Sequence, residues 1–190
     1  MANVALGTRR VFANLKAVYF TPWTDESTLG DETYDLVDIV ADTTSVEQAE
    51  NEVNALEHEF SSNPLYENVT LGDKTFACEA IDFQNPVLKG MFGWHVDEAG
   101  NAFAPKTYKD LYCKIELHFN SSEDIIVLPK VKLNSRAVIA SMKTDASRGN
   151  ITGTAYNAFV TVGDTTHETD MAIVANANKE TYTVAAKASE

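Results

Sequence analysis

Apolar and polar positions alternate with a period of two through most of this chain, and the clearest run is LYCKIELHF at 111 to 119. Leu111, Cys113, Ile115, Leu117 and Phe119 fall on one side and Tyr112, Lys114, Glu116 and His118 on the other, which is the pattern of a half-buried strand. VFANLKAVYF (11 to 20) places Val11, Ala13, Leu15, Ala17 and Tyr19 on one side and Phe12, Val18 and Phe20 on the other, so a strand with both faces partly covered is expected there. Further strands are expected at 35 to 40, 74 to 81, 130 to 140, 150 to 162, 171 to 175 and 181 to 186. Gly72-Asp73, Asn120-Ser121-Ser122 and Gly163-Asp164 supply turns between them.

One helix interrupts this order, in DFQNPVLKGMFGW. Asn85 can cap it, Pro86 suits its first position, Val87, Leu88 and Met91 sit at helical spacing, and Gly93 can take a left-handed stop. The stretch SVEQAENEVNALEHEF is readable in two ways. Val46, Ala49, Val53 and Leu56 make a helical stripe, while Leu56, His58 and Phe60 alternate as in a strand, and propensity favours the helix. No repeat, low-complexity tract or Pro/Gly linker divides the chain, so its 190 residues are expected to form one domain, 1–190, of mainly β class.

Composition narrows the field. The net charge is −13, and residues 1 to 70 hold 3 basic and 13 acidic side chains, the acids lying between Asp25 and Glu67. A surface of that sign repels phosphate backbones, which disfavours a sequence-reading DNA-binding protein; taken alone, the charge describes a solvated face. No apolar run approaches the ~20 residues of a membrane-spanning helix. Asn14 and Lys16 interrupt any apolar core that could follow Arg9-Arg10, so a soluble protein made without a secretory signal is expected. Cys78 and Cys113 form no Cys-x-x-Cys pair and are expected to be buried free thiols.

The segment TDASRGNITGTAYNAFV (144 to 160) raises the question of a phosphate-binding loop. Such a loop opens a helix and carries a lysine for the phosphates, whereas no lysine follows Gly153 and Thr154 to Val162 read as a strand. A loop between two strands with Arg148 at its tip is expected instead. His58, His95, His118 and His167 stand alone, without the spacing that places two ligands on one face, and Asp97-Glu98 and Glu123-Asp124 match no EF-hand loop. No nucleophile elbow or Cys-His signature is present. The sequence therefore nominates no catalytic, cofactor-binding or metal-ligating residue and no cofactor, and an enzyme is not expected.

Two stretches carry a resemblance. SVEQAENEVNALEHEFSSNPLYENVTLGDKTFACEAIDFQNPVLKGMFGW, followed by VLPKVKLNSRAVIASMKTDASRGNITGTAYNAF, resembles the major tail (tail tube) proteins of long-tailed bacteriophages over most of residues 35 to 162. The shared features are an acidic strand pair ending in a Glu-Phe element, a turn into a strand at NPLYENVTLGDKTF, the Val87-Leu88 and Met91-Phe92-Gly93 helix pattern, and a late strand–turn–strand. The resemblance implies a β-sandwich or barrel-like tail tube fold with one short flanking helix, and strands at 44 to 49 and 53 to 60. It further implies a virion protein, assembled in the host bacterial cytoplasm, whose copies form hexameric rings stacked into a tube. Tape-measure, terminator and distal tail proteins would be its partners, and DNA would pass through the lumen without specific binding. Carboxylates among residues 25 to 67, if they line that lumen, would keep DNA from adhering. Residues 21–33 and 95–108 would be arms between subunits or loops packed on their own domain. The alternative is a non-catalytic β-sandwich that holds carbohydrate on Trp23, Trp94 and Tyr108, or a surface or fimbrial module; both would require export.

Overall fold

The computed structural model describes residues 10–58, 61–81, 83–107, 109–138 and 147–187, with side chains at 54–58 and 61–67 left aside. Its elements in chain order are β1 (Leu15–Pro22), β2 (Tyr34–Asp35), β3 (Ser45–Gln48), β4 (Glu52–His58), β5 (Ser61–Thr70), β6 (Lys74–Ala80), α1 (Asn85–Phe92), β7 (His95–Val96), β8 (Ala102–Phe103), β9 (Leu111–Phe119), β10 (Ser122–Leu133), β11 (Arg136–Val138), β12 (Arg148–Tyr156), β13 (Ala158–Val162), β14 (Thr165–Thr169), β15 (Ala172–Val174) and β16 (Thr183–Ala185). The protein is mainly β with a single short helix among the described residues.

Nine strands form one antiparallel sheet in the order β2-β1-β9-β10-β12-β6-β3, with β11 added to β12 and β15 to β10. The alternation read from 111 to 119 sets its middle: Cys113, Ile115 and Leu117 are buried, and Ile115 lies opposite Phe20 of β1 and Leu128 of β10. Val18, Phe20, Phe76, Val131, Leu133 and Ile151 point to the same side, where Val87, Leu88 and Met91 of α1 close over them. Each such side chain taken from water contributes roughly 1.5–3 kcal/mol, so this face, with its helix, is the main source of stability.

A smaller sheet, β14-β13-β16, covers part of the other face. Ile125, Val127 and Val174 of the main sheet meet Val162, Tyr182 and Val184 there in a second core. β10 thus serves both cores by alternation, and a register shift between Leu128 and Val131 lets these two, three residues apart, face the same one. Pro129 sits in that irregularity, where a residue without an amide hydrogen costs no ladder bond. The remaining outer face is polar. The sheet does not close into a barrel by strand pairing, but one segment touches both its ends: Leu36 N donates to Val18 O at 2.8 Å, and Val40 N to Glu79 O at 2.8 Å.

Several expected boundaries move. The strand expected over 11–20 begins at Leu15, because Asn14 turns the chain at φ 57°. That expected over 35–40 reduces to Tyr34–Asp35 and an isolated bridge at Ile39, since Asp38 takes φ 55°. The strand expected over 130–140 begins earlier, at Ser122, and is cut at Asn134-Ser135, after which β11 joins a different part of β12; 139 and 140 lie outside the described residues. The strand expected over 150–162 is two, because Asn157 carries the chain from the large sheet to the small one. β14 and the β7–β8 hairpin were not anticipated, and NPLYENVT, expected as a turn, is strand within β5, so that the turn into β6 is confined to 71–73. At the helix start Gln84, with extended backbone, is the cap, and Asn85 lies inside the first turn; Gly93 takes the left-handed stop at φ 68° as expected. The segment 44–60 is extended, as β3 and β4, against its helix propensity; 59 and 60 lie outside the described residues.

Candidate assembly surfaces

The acidic segment owes its extended form to pairing. β3 runs antiparallel to β6 from Ser45↔Ala77 to Gln48↔Lys74, and β4 continues against β5 from Glu52↔Thr70 to His58↔Ser61. Between the two ladders lies a narrow neck. Ala49 N donates to Asp73 O at 2.9 Å and Gly72 N to Asn51 Oδ1 at 3.2 Å. Gly72 lies so close to the Ala49 carbonyl that a Cβ there would sit 2.1 Å from its oxygen. Beyond the neck β4 and β5 pair with each other and with no other strand among the described residues. Val53 and Val69 face each other across the ladder at 55% and 49% exposure, and Leu71 beside them is 70% exposed. Two strands without a third, with uncovered valines at their root, are a marginal structure in water.

The ten acids from Asp25 to Glu52 are all exposed: four precede β2, four lie along β2, the 36–44 crossing and β3, and Glu50 and Glu52 lie at the neck and the start of β4. Residues 21–33 fold back on the body: Trp23 is buried, bridges Leu29, and donates from Nε1 to Pro129 O at 3.3 Å. Lys130 lies over both the Trp23 and Tyr112 rings, at 5.4 and 4.7 Å. Trp23 is therefore packing, not an exposed stacking platform. Trp94 is half-buried against the main core, and Tyr108 lies outside the described residues.

A polar knot joins the two sheets. Glu116 points from β9 toward the smaller sheet, where the Tyr182 hydroxyl donates to its Oε1 at 2.5 Å; the Lys114 ammonium lies 2.7 Å from the same oxygen, and His118 Nε2 3.4 Å from Oε2. Burial alone would raise this carboxyl, but the bonds from His118, Lys114 and Tyr182 outweigh it and hold it down to about 2. The Tyr182 hydroxyl is pushed up, by burial first and by the adjacent carboxylate second. A second link runs from Lys74 to both oxygens of Asp170, at 2.8 and 2.7 Å. The sequence displays the first knot as Lys-x-Glu-x-His on one strand face; its partner, 66 residues on, is invisible there.

Cys78 and Cys113 are buried free thiols, and burial pushes Cys78 up to about 12 and Cys113 higher still. Arg148 is not at a loop tip. It opens β12, opposite Val138, and its Nη1 lies 2.9 Å from Glu79 Oε2. His95 stacks on Phe103, His118 belongs to the knot, His167 is exposed on β14, and Asp97 is held low by hydrogen bonds from Asn101. Among the described residues no group of three or more His, Cys, Asp or Glu is placed to hold a metal ion, and no helix is long and apolar enough to cross a membrane.

No known protein family matches the chain, and no curated protein is similar to it. Among solved structures, a chain of the cryo-EM structure of the anti-feeding prophage (AFP) baseplate, 6-fold symmetrised, aligns with a TM-score of 0.45 and 9% identity, over 90% of this chain and 99% of that one.

Proposed function

We infer that this protein is a structural subunit of a phage-type tail, a tube protein whose copies associate into six-membered rings stacked around a DNA conduit. The observation that carries the reading is the hairpin of β4 and β5, which falls within the stretch that resembles tail tube proteins. It stands apart from both sheets with Val53, Val69 and Leu71 uncovered. Apolar surface and unpaired strand edges of this kind are a liability in a lone molecule and an asset in one that repeats. Head-to-tail contacts close into rings where the rotation permits and otherwise extend.

The exposed acids between Asp25 and Glu52 support the same reading. Directed at a lumen, they would repel DNA in transit by like charge. Residues 21–33 and 95–108 are further proposed contacts between subunits, and tape-measure, terminator and distal tail proteins the proposed neighbours in the virion. The carbohydrate reading is weakened by the burial of Trp23.

Sedimentation velocity over a wide range of protein concentrations tests the proposal. Species of six copies and multiples of six are expected as concentration rises. A monomer throughout the range would end it.

A further inference from the structure

A cleft of about 370 Å³ lies beside the C-terminal end of α1, floored by Met91, Phe92, Trp94 and Leu111 and rimmed by Lys106, Lys109 and Arg136. All three cations are exposed, and none forms an ion pair with another described residue. Asp110, the acid beside Lys109 in sequence, is engaged by Lys132 at 2.8 Å. Ser135 Oγ, also on the cleft, is buried without a hydrogen-bond partner. On a molecule of net charge −13, this concentration of uncompensated positive charge over an apolar floor calls for an acidic, partly apolar occupant.

The chain itself contains one. From Glu52 to Thr70 it carries Glu52, Glu57, Glu59 and Glu67 with no lysine or arginine, interleaved with valine, leucine, phenylalanine and tyrosine. Register separates this segment from the cleft. The hairpin leaves the sheet at the Lys74 end of β6, opposite Gln48, whereas Arg136 lies opposite Asn150, which pairs with Glu79 near the other end of β6. Five residues of strand, about 17 Å, separate the two levels. The cleft extends from the level of Leu133, which lies opposite Gly153 and through it Phe76, to that of Arg136 near the Glu79 end of β6, while the hairpin leaves from the Lys74 end, so cleft and hairpin occupy separate places on one copy.

We propose that the cleft between α1 and residues 105–107, 109–111 and 133–137 receives the acidic β4–β5 hairpin of a second copy of this chain. The proposal rests on the self-association inferred above and names its contact. It also explains how copies that repel each other by net charge associate: the contact pairs a cleft rimmed by cations with an acidic projection.

The test is a charge swap in full-length protein. Lys109→Glu/Arg136→Glu and Glu52→Lys/Glu57→Lys are each checked for the wild-type β spectrum by circular dichroism, then sedimented alone and as an equimolar mixture. Each alone is expected to lose roughly tenfold or more in association, and the mixture to regain most of it, since every contact in an alternating chain is then complementary. If a reversed variant loses its β spectrum, Lys109→Gln/Arg136→Gln replaces it, with a loss in the same direction expected. Either variant associating like the wild type, or a mixture that fails to recover, overturns the proposal. Loss in the cleft variant alone assigns the cleft to a different acidic partner and overturns this occupant. Wild-type assembly that ignores cleft reversal sinks this contact and leaves the proposed function standing; a wild type that never associates sinks both.

Discussion

At the scale of single residues, two positions hold packed elements together in ways that a substitution can test. Gly149 on β12 lies under the Phe92 ring of α1, and a Cβ there would sit 2.3 Å from the ring. Gly149→Ala must push the helix or turn the ring, and a loss of about 1–3 kcal/mol in thermal or denaturant unfolding is expected. Glu116 is the other. Its carboxyl has an ordinary value of 4.5 and is held at about 2 in the folded protein, so the stability it confers is complete above 4.5 and drains as pH falls through 2. The melting temperature of the wild type is therefore expected to fall more steeply between pH 5 and pH 2 than that of Glu116→Gln, which has no such proton to gain. Parallel curves would remove the knot from the account.

At the scale of elements, alternation made β6, β9, β15 and β16 legible within a residue or two, because each keeps one face on a core. The breaks were harder. Asn14 and Asp38 stop strands by taking left-handed backbone, which these residue types tolerate but do not announce. The cut at Asn157 follows from which sheet each half joins, and the overturned helix propensity of 45–58 from a ladder with residues up to 32 positions away. Such facts are long-range and local pattern cannot hold them. Of the candidate surfaces, the acid concentration was visible in sequence, while the cleft is assembled from residues 91 to 137 and was not. The hairpin itself yields a prediction. Val53→Ser/Val69→Ser removes exposed apolar area that no other strand covers, so the melting temperature of the dilute protein should stay within a few degrees of wild type while association weakens several-fold. A large loss of stability with association unchanged would mean that these valines serve the monomer.

At the scale of the whole molecule, a helix-covered β sheet, a small sheet tied on by Glu116 and Lys74, and a projecting hairpin divide the work. The first two make a body with its own cores, and the third extends beyond them. Acid is spread over residues 25–52 and the hairpin, while Lys106, Lys109 and Arg136 gather at the cleft beside α1. One copy thus carries both an acidic projection and a basic cleft, as the proposed contact between copies requires. Cryo-electron microscopy of the concentrated protein tests this most directly. Six-membered rings stacked into tubes, with residues 52–70 lodged against the neighbouring copy, are predicted. Particles that remain single copies at every concentration, with those residues bare to solvent, would contradict the account.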